Sequence, residues 1–131
     1  MESMSNKINI LIIDDEVVSR YTMETLLEDE KHNLFFAEDG LQGLEKADTL
    51  NPDIVFLDVM MPGINGFEVC RRLRATPNFL ELPIIMITAW DDPVARQRCL
   101  EVGANQVICK PFNRNQLHEP IRKLVMHSSE T

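Results

Sequence analysis

Five short runs of apolar residues, rich in β-branched side chains, recur along the chain: Ile8–Ile13, Leu34–Ala37, Ile54–Leu57, Ile84–Thr88 and Gln106–Cys109. Apart from Asn9 and Gln106 they are continuous rather than alternating. A strand with one face in water alternates, whereas a strand covered on both faces leaves no position for a polar side chain. The pattern therefore predicts a parallel sheet with helices on both sides. Amphipathic segments lie between the runs. Asp39 with Gln42 and Asn65 with Glu68 have the spacing of a capping box. Asp92 ahead of Pro93 supplies an N-cap followed by proline at the first helical position. Leu117, Ile121, Leu124 and Val125 form the i, i+4, i+7, i+8 stripe of a closing helix. Pro120 within it removes one backbone bond, so that helix is expected to run on through Pro120 with a distortion there.

Five βα units in succession, joined by right-handed crossovers, make a doubly wound α/β sandwich. At 131 residues the chain holds one domain. The expected folded unit covers 7–126, preceded by a disordered tail, 1–6, and followed by a polar tail or linker stub, 127–131.

Composition narrows the function. A net charge of −8 argues against nucleic acid as a direct partner, and the cluster Arg71, Arg72 and Arg74 is expected to be a solvated helix face. Cys70, Cys99 and Cys109 match no metal or redox spacing and suit a reducing compartment, where buried cysteine acts as a small hydrophobe. Met1–Lys7 lacks the apolar core of a signal peptide, and no apolar run approaches the ~20 residues that span a bilayer. The expectation is a cytoplasmic protein without membrane contact.

Ligands of an open parallel sheet bind beyond the carboxyl ends of its strands. Standing there are Asp14-Asp15-Glu16 after the first run, Asp58 after the third, Thr88 after the fourth and Lys110-Pro111 after the fifth. Singly each has an ordinary explanation: Asp15 as a helix cap, Asp58 as a turn acid, Thr88 as a β-branched strand residue, Lys110 as a surface base. Those explanations leave their convergence on one edge unaccounted for. Packed carboxylates repel one another unless a cation neutralises them. An all-oxygen donor set suits Mg²⁺, with Mn²⁺ able to substitute. A carboxylate beside such a cation is a competent nucleophile for a phosphoryl group, whose oxygens Lys110 and Thr88 could share with the metal.

These residues resemble the receiver domains of bacterial two-component response regulators. The motifs are Ile12-Ile13-Asp14-Asp15-Glu16, Leu57-Asp58-Val59-Met60-Met61-Pro62-Gly63 with Asn65-Gly66, Ile87-Thr88-Ala89 and Lys110-Pro111-Phe112. They are spaced 43 residues from Asp15 to Asp58, then 30 to Thr88 and 52 to Lys110. The resemblance implies a flavodoxin-like (βα)5 fold with strand order 2-1-3-4-5. It implies phosphorylation of Asp58, metal binding by Asp14, Asp15, Asp58 and the Met60 carbonyl, phosphoryl contacts and switching by Thr88, Ala89 and Lys110, and a cis bond before Pro111. Met60 and Trp90 would tune how readily water reaches the phosphoryl group. Implied partners are a sensor histidine kinase or phosphotransfer protein, an output domain or downstream protein at the surface of helix 4, strand 5 and helix 5, and a phosphorylation-linked second copy. One departure stands out: Val107 occupies the position where the family often has a switching aromatic. Three rivals are distinguishable. A phosphohydrolase with an aspartate nucleophile has a second acid two residues on, where this chain has Met60. A flavin module needs a Ser/Thr/Gly loop after the first strand, where this chain is acidic. A phosphorylation-independent pseudo-receiver would fail to take a phosphoryl group from a small donor.

Overall fold

The computed structural model describes residues 7–28, 31–90 and 92–130, with 127–130 described by backbone alone. Five strands, β1 (Asn9–Ile13), β2 (Asn33–Ala37), β3 (Ile54–Asp58), β4 (Ile84–Thr88) and β5 (Gln106–Cys109), alternate with the helices α1 (Val17–Leu27), α2 (Gly40–Leu50), α3 (Gly66–Arg74), α4 (Pro93–Glu101) and α5 (Arg114–Glu130). Neighbouring strands are parallel, in the order β2-β1-β3-β4-β5. The chain thus reverses direction across the sheet at β1 and β3, which leaves a crevice above their carboxyl ends.

Each strand feeds two cores, which is why its apolar run is continuous. Ile10, Ile12, Ile54, Phe56, Ile85, Ile87 and Ile108 face one side, where Met23 and Leu27 of α1 and Leu117 and Ile121 of α5 close the core. Leu11, Ile13, Val55, Leu57, Met86 and Val107 face the other, against Ala47 of α2, Val69, Cys70 and Leu73 of α3 and Cys99 of α4. Each fully buried Val, Leu, Ile, Phe or Met side chain among them contributes roughly 1.5–3 kcal/mol. The edge strand β2 departs from the two-faced burial read from its sequence: Leu34, Phe35 and Phe36 are only half-buried. With a neighbour on one side only, it lacks the cover that the central strands share.

The helix starts follow their capping signals. Asp39 accepts from the Gln42 amide at 2.8 Å, Asn65 from Glu68 at 3.1 Å and Asp92 from Ala95 at 2.8 Å. The reciprocal half of the capping box is absent in the first two, since Gln42 reaches the Glu38 amide and the Glu68 carboxylate turns to Arg71 and Arg72. A complete box opens α5 instead, where Asn113 and Gln116 exchange side-chain to backbone bonds, each at 2.9 Å. That helix runs unbroken through Pro120, as its apolar stripe requires. Its backbone continues to Glu130, over most of the stretch expected as a polar tail. The side chains beyond Met126, and the expected tail 1–6, lie outside the described residues.

Arg74 corrects the expectation of a solvated basic face. Arg71 and Arg72 are exposed and share Glu68, but Arg74 turns back to donate to the carbonyls of Gly103 and Phe79 and to Asn105 Oδ1. It fastens the end of α3 to the loops entering β4 and β5. Cys70 and Cys99 are buried and unbridged. Burial pushes the Cys70 thiol up to about 11 and raises that of Cys99, so both pack as neutral groups.

Candidate functional site

The crevice above β1 and β3 gathers the acids that the sequence places at strand ends. Asp14 follows β1 directly and is buried, Asp15 is half-buried, and Asp58 closes β3 at 6% exposure. Carboxylate oxygens of the three lie within 4.8 Å of one another. Asp15 does not cap α1. The cap position belongs to Glu16, which makes no side-chain cap bond, and the Glu16 amide donates instead to Asp14 Oδ1 at 3.0 Å. The ordinary explanation for Asp15 therefore fails, and its carboxylate is left for the cluster.

Lys110, after β5, reaches this cluster from the opposite wall. Its Nζ stands 3.9 Å from Asp58 Oδ1 and 3.3 Å from Ser19 Oγ, to which it donates. The ion pair is long, and the ammonium is held between Asp58 and α1 rather than committed to either. Three carboxylates against one ammonium leave an excess of negative charge. Burial, the largest influence, and the neighbouring Asp14 raise the Asp58 pKa to about 7, with Asp15 adding to the rise. Lys110 and the Met60 backbone N–H oppose it. Oxygen-only donors, close packing and excess charge together fit a hard divalent cation, which would relieve the repulsion that the protein leaves in place.

The backbone after Asp58 turns tightly into α3. Gly63, with φ of +78°, turns the chain after Pro62. Gly66 then donates to the Val59 carbonyl at 2.8 Å. A Cβ at Gly66 would lie 2.4 Å from the Asp58 carbonyl oxygen, so only glycine lets α3 begin this close to β3. On the far side, Thr88 ends β4 with 1% exposure, and its Oγ1 accepts from the Trp90 amide at 3.0 Å. Its carbonyl accepts from the Lys110 amide at 2.8 Å, which ties the β4 and β5 ends together. Ala89, Trp90 and Met60 are exposed at the rim. The Lys110–Pro111 bond is cis. Val107 is buried in the core against α4 rather than placed at the surface.

Two contributors escape strand-end reasoning, Ser19 as the second partner of Lys110 and Arg20, whose guanidinium donates to the Asp14 carbonyl at 2.8 Å. Both come from the first turns of α1. The signal available was periodicity, since a helix opening at Val17 directs its first turn toward the acids that precede it.

A doubly wound sheet with an acidic, cation-ready pocket at its carboxyl edge, flanked by a threonine and a lysine, is the framework of a receiver-type signalling switch. The chain belongs to the response regulator receiver domain family, whose model matches residues 10–122. It is 39% identical over 120 residues to the probable transcriptional regulator ycf27 of Cyanophora paradoxa, covering 92% of this chain and 49% of that protein. It is 32% identical to protein PilG of Pseudomonas aeruginosa, covering 89% of this chain and 87% of that one. Among solved structures, the receiver domain of sensor histidine kinase PA1611 from P. aeruginosa superposes with a TM-score of 0.84 at 28% identity, covering 92% of this chain and 98% of that one, and it has a magnesium ion coordinated in its active site cleft. The chain spans about half the length of the curated transcriptional regulators it matches. No helix among the described residues is long and apolar enough to cross a membrane.

Proposed function

We propose that Asp58 is the phosphoryl acceptor of a two-component switch. The observation that carries this is the placement of one buried carboxylate between two further acids and an ammonium, with its pKa raised to about 7. An isolated turn acid has neither the burial nor the neighbours. Asp14, Asp15, Asp58 and the Met60 carbonyl would hold Mg²⁺, or Mn²⁺ in its place, as PA1611 holds magnesium in its cleft. When bound, the cation supplies neutralising charge for the phosphoryl oxygens and favours the ionised form of Asp58.

The chain's own groups do the rest. A carboxylate oxygen of Asp58 forms the new bond to phosphorus, while the bond from phosphorus to the donor's imidazole nitrogen, or to acetate oxygen, breaks and the donor leaves with the electron pair. Lys110, held loosely between Asp58 and Ser19, is free to move to a phosphoryl oxygen. The Thr88 hydroxyl accepts from Trp90 and keeps its own proton to donate, and with the Ala89 amide it completes the cradle. A turn of Thr88 toward the phosphoryl group releases the Trp90 amide, which moves the loop into α4 and so signals outward. The surface of α4, β5 and α5 would pass that change to an output domain, a downstream protein or a second copy. Val17, Val18 and Tyr21, exposed on α1, and Met60, exposed two residues after Asp58, offer apolar surface suited to a histidine kinase or phosphotransfer protein. The net charge of −8 and the exposed polar faces favour a cytoplasmic switch without nucleic-acid or membrane contact of its own.

The test is phosphorylation by acetyl phosphate with Mg²⁺, read by intact mass. One phosphoryl group is expected on the native chain and none on Asp58→Asn. Single labelling of the variant at the native rate would overturn the assignment, and no labelling of the native chain would mark it as a phosphorylation-independent module.

A further inference from the structure

The face between α3 and α4 carries two adjoining surface depressions, which meet the rim of the acidic crevice at Trp90. One is lined by residues including Ile64, Phe67, Glu68, Arg71, Arg72 and Arg98. The other, lined by Trp90, Pro93, Val94 and Ala95, shares Phe67 and Arg98 with it. Together they form a groove with a basic arm and an apolar arm.

The basic arm has more cation than it can neutralise. Glu68 serves both Arg71, at 3.1 and 2.6 Å, and Arg72, at 2.8 Å. Arg98 lies 4.4 Å from the centroid of the Phe67 ring, and among the described residues it is paired with no carboxylate. Asp92, on the apolar arm, is committed to the Ala95 amide as the helix cap. The groove thus sets three guanidiniums against two carboxylates, Glu68 and Asp92, on a chain whose net charge is −8. The Phe67 ring fixes Arg98 in place, and Glu68 orients the other two through their Nε atoms, so little side-chain freedom is lost when an anion arrives. The apolar arm is as definite. Val94, on α4, is 78% exposed and Trp90, in the loop before it, 45% exposed, and no packing within this chain requires either large apolar group to face outward.

We propose that this groove docks an acidic segment of a partner protein, with one apolar side chain of that segment seated on Trp90, Pro93 and Val94 and its carboxylates on Arg98, Arg72 and Arg71. A carboxylate bound across a guanidinium makes two parallel hydrogen bonds, which sets both register and strength. A shallow two-armed surface suits an extended or helical segment better than a small molecule, whose sites are concave and enclosing. Nucleic acid is disfavoured because its regular phosphates would meet the acidic remainder of the chain, and the apolar arm would go unused.

The probe is a fluorescein-labelled acidic peptide of roughly a dozen residues, glutamate-rich with leucine at helical spacing, titrated into the full chain and followed by anisotropy and by backbone amide NMR. Saturable binding is expected, with shifts concentrated in residues 63–72 and 92–102. Arg98→Glu should weaken it about tenfold or more, because a bidentate anchor becomes a repulsion. Arg72→Ala, on a side chain 46% exposed, should weaken it by a smaller factor without unfolding the chain. Val94→Glu should weaken it through the apolar arm. Shifts confined to β5 and α5, equal affinity for both arginine variants, or tighter binding of an RNA oligomer of matching charge would each overturn the proposal. None of these readouts requires phosphorylation, so the groove stands or falls apart from the role of Asp58.

Discussion

The two ends of the sheet are built on opposite electrostatic principles. At the amino ends of the strands, polar side chains bind backbone and one another. Asp53 accepts from the Asn9 amide at 2.7 Å, Asn33 donates to Asn9 Oδ1 at 2.9 Å, and Asn105 Oδ1 accepts from both Ile84 and Arg74. At the carboxyl ends, three acids crowd within 4.8 Å and the Lys110 ammonium sits at 3.9 Å from Asp58. One end holds the strands in register. The other is left under a repulsion that a cation from outside would relieve. Stability and function are thus separated along the strand axis, and the separation can be tested end by end.

The largest expected effect lies at the satisfied end. Arg74→Ala removes three charge-assisted bonds, to Gly103, Phe79 and Asn105, and should cost about 2–3 kcal/mol in denaturant unfolding. Labelling of the folded fraction by acetyl phosphate should be unchanged, and a variant that loses phosphoryl acceptance while fully folded would erase the contrast. At the frustrated end the sign reverses. Saturating Mg²⁺ should raise stability by ~1–3 kcal/mol, because it binds only the assembled acids, and Asp15→Ala should remove most of that gain. An unchanged unfolding midpoint in millimolar Mg²⁺ would count against the cation pocket.

The same repulsion predicts a pH dependence. The Asp58 pKa is raised to about 7 by burial and by Asp14, against about 3.9 for an unfolded aspartate. The folded state therefore takes up this proton first. Without metal, the contribution of Asp58 to stability should grow as pH falls from above 7 toward 4, and be lost as pH rises through 7. Asp58→Asn should flatten that segment of the profile, and Mg²⁺ should flatten it too by holding the ionised form. A metal-free profile identical in the native chain and the variant would contradict the raised pKa. The smallest effect concerns the rim. Trp90 and Met60 cannot orient water by a charge, so self-dephosphorylation should be slow, and Trp90→Glu or Met60→Asn should speed phosphate release by a few-fold. Equal release rates would leave both as rim residues without influence on the chemistry.

Much of this was legible in the sequence because strand and helix impose periods on it. Continuous apolar runs marked the central strands, and acids, threonine and lysine at their ends marked one edge, because parallel strands all finish on the same side. Asp14, Asp15, Asp58, Thr88 and Lys110 follow from that rule alone. Tertiary contact decided what no local period encodes. The half-burial of β2 comes from its place at the sheet's edge, and the role of Arg74 from loops 29 and 31 residues away in sequence. The raised pKa of Asp58 needs the distances among carboxylates that meet only when β1 and β3 lie side by side. The groove of Phe67, Arg98 and Trp90 likewise exists only because α3 and α4 pack next to each other on one face. Periodicity is a property of neighbours in the chain, while burial, charge density and surface shape belong to neighbours in space, and residues far apart in sequence supply most of those.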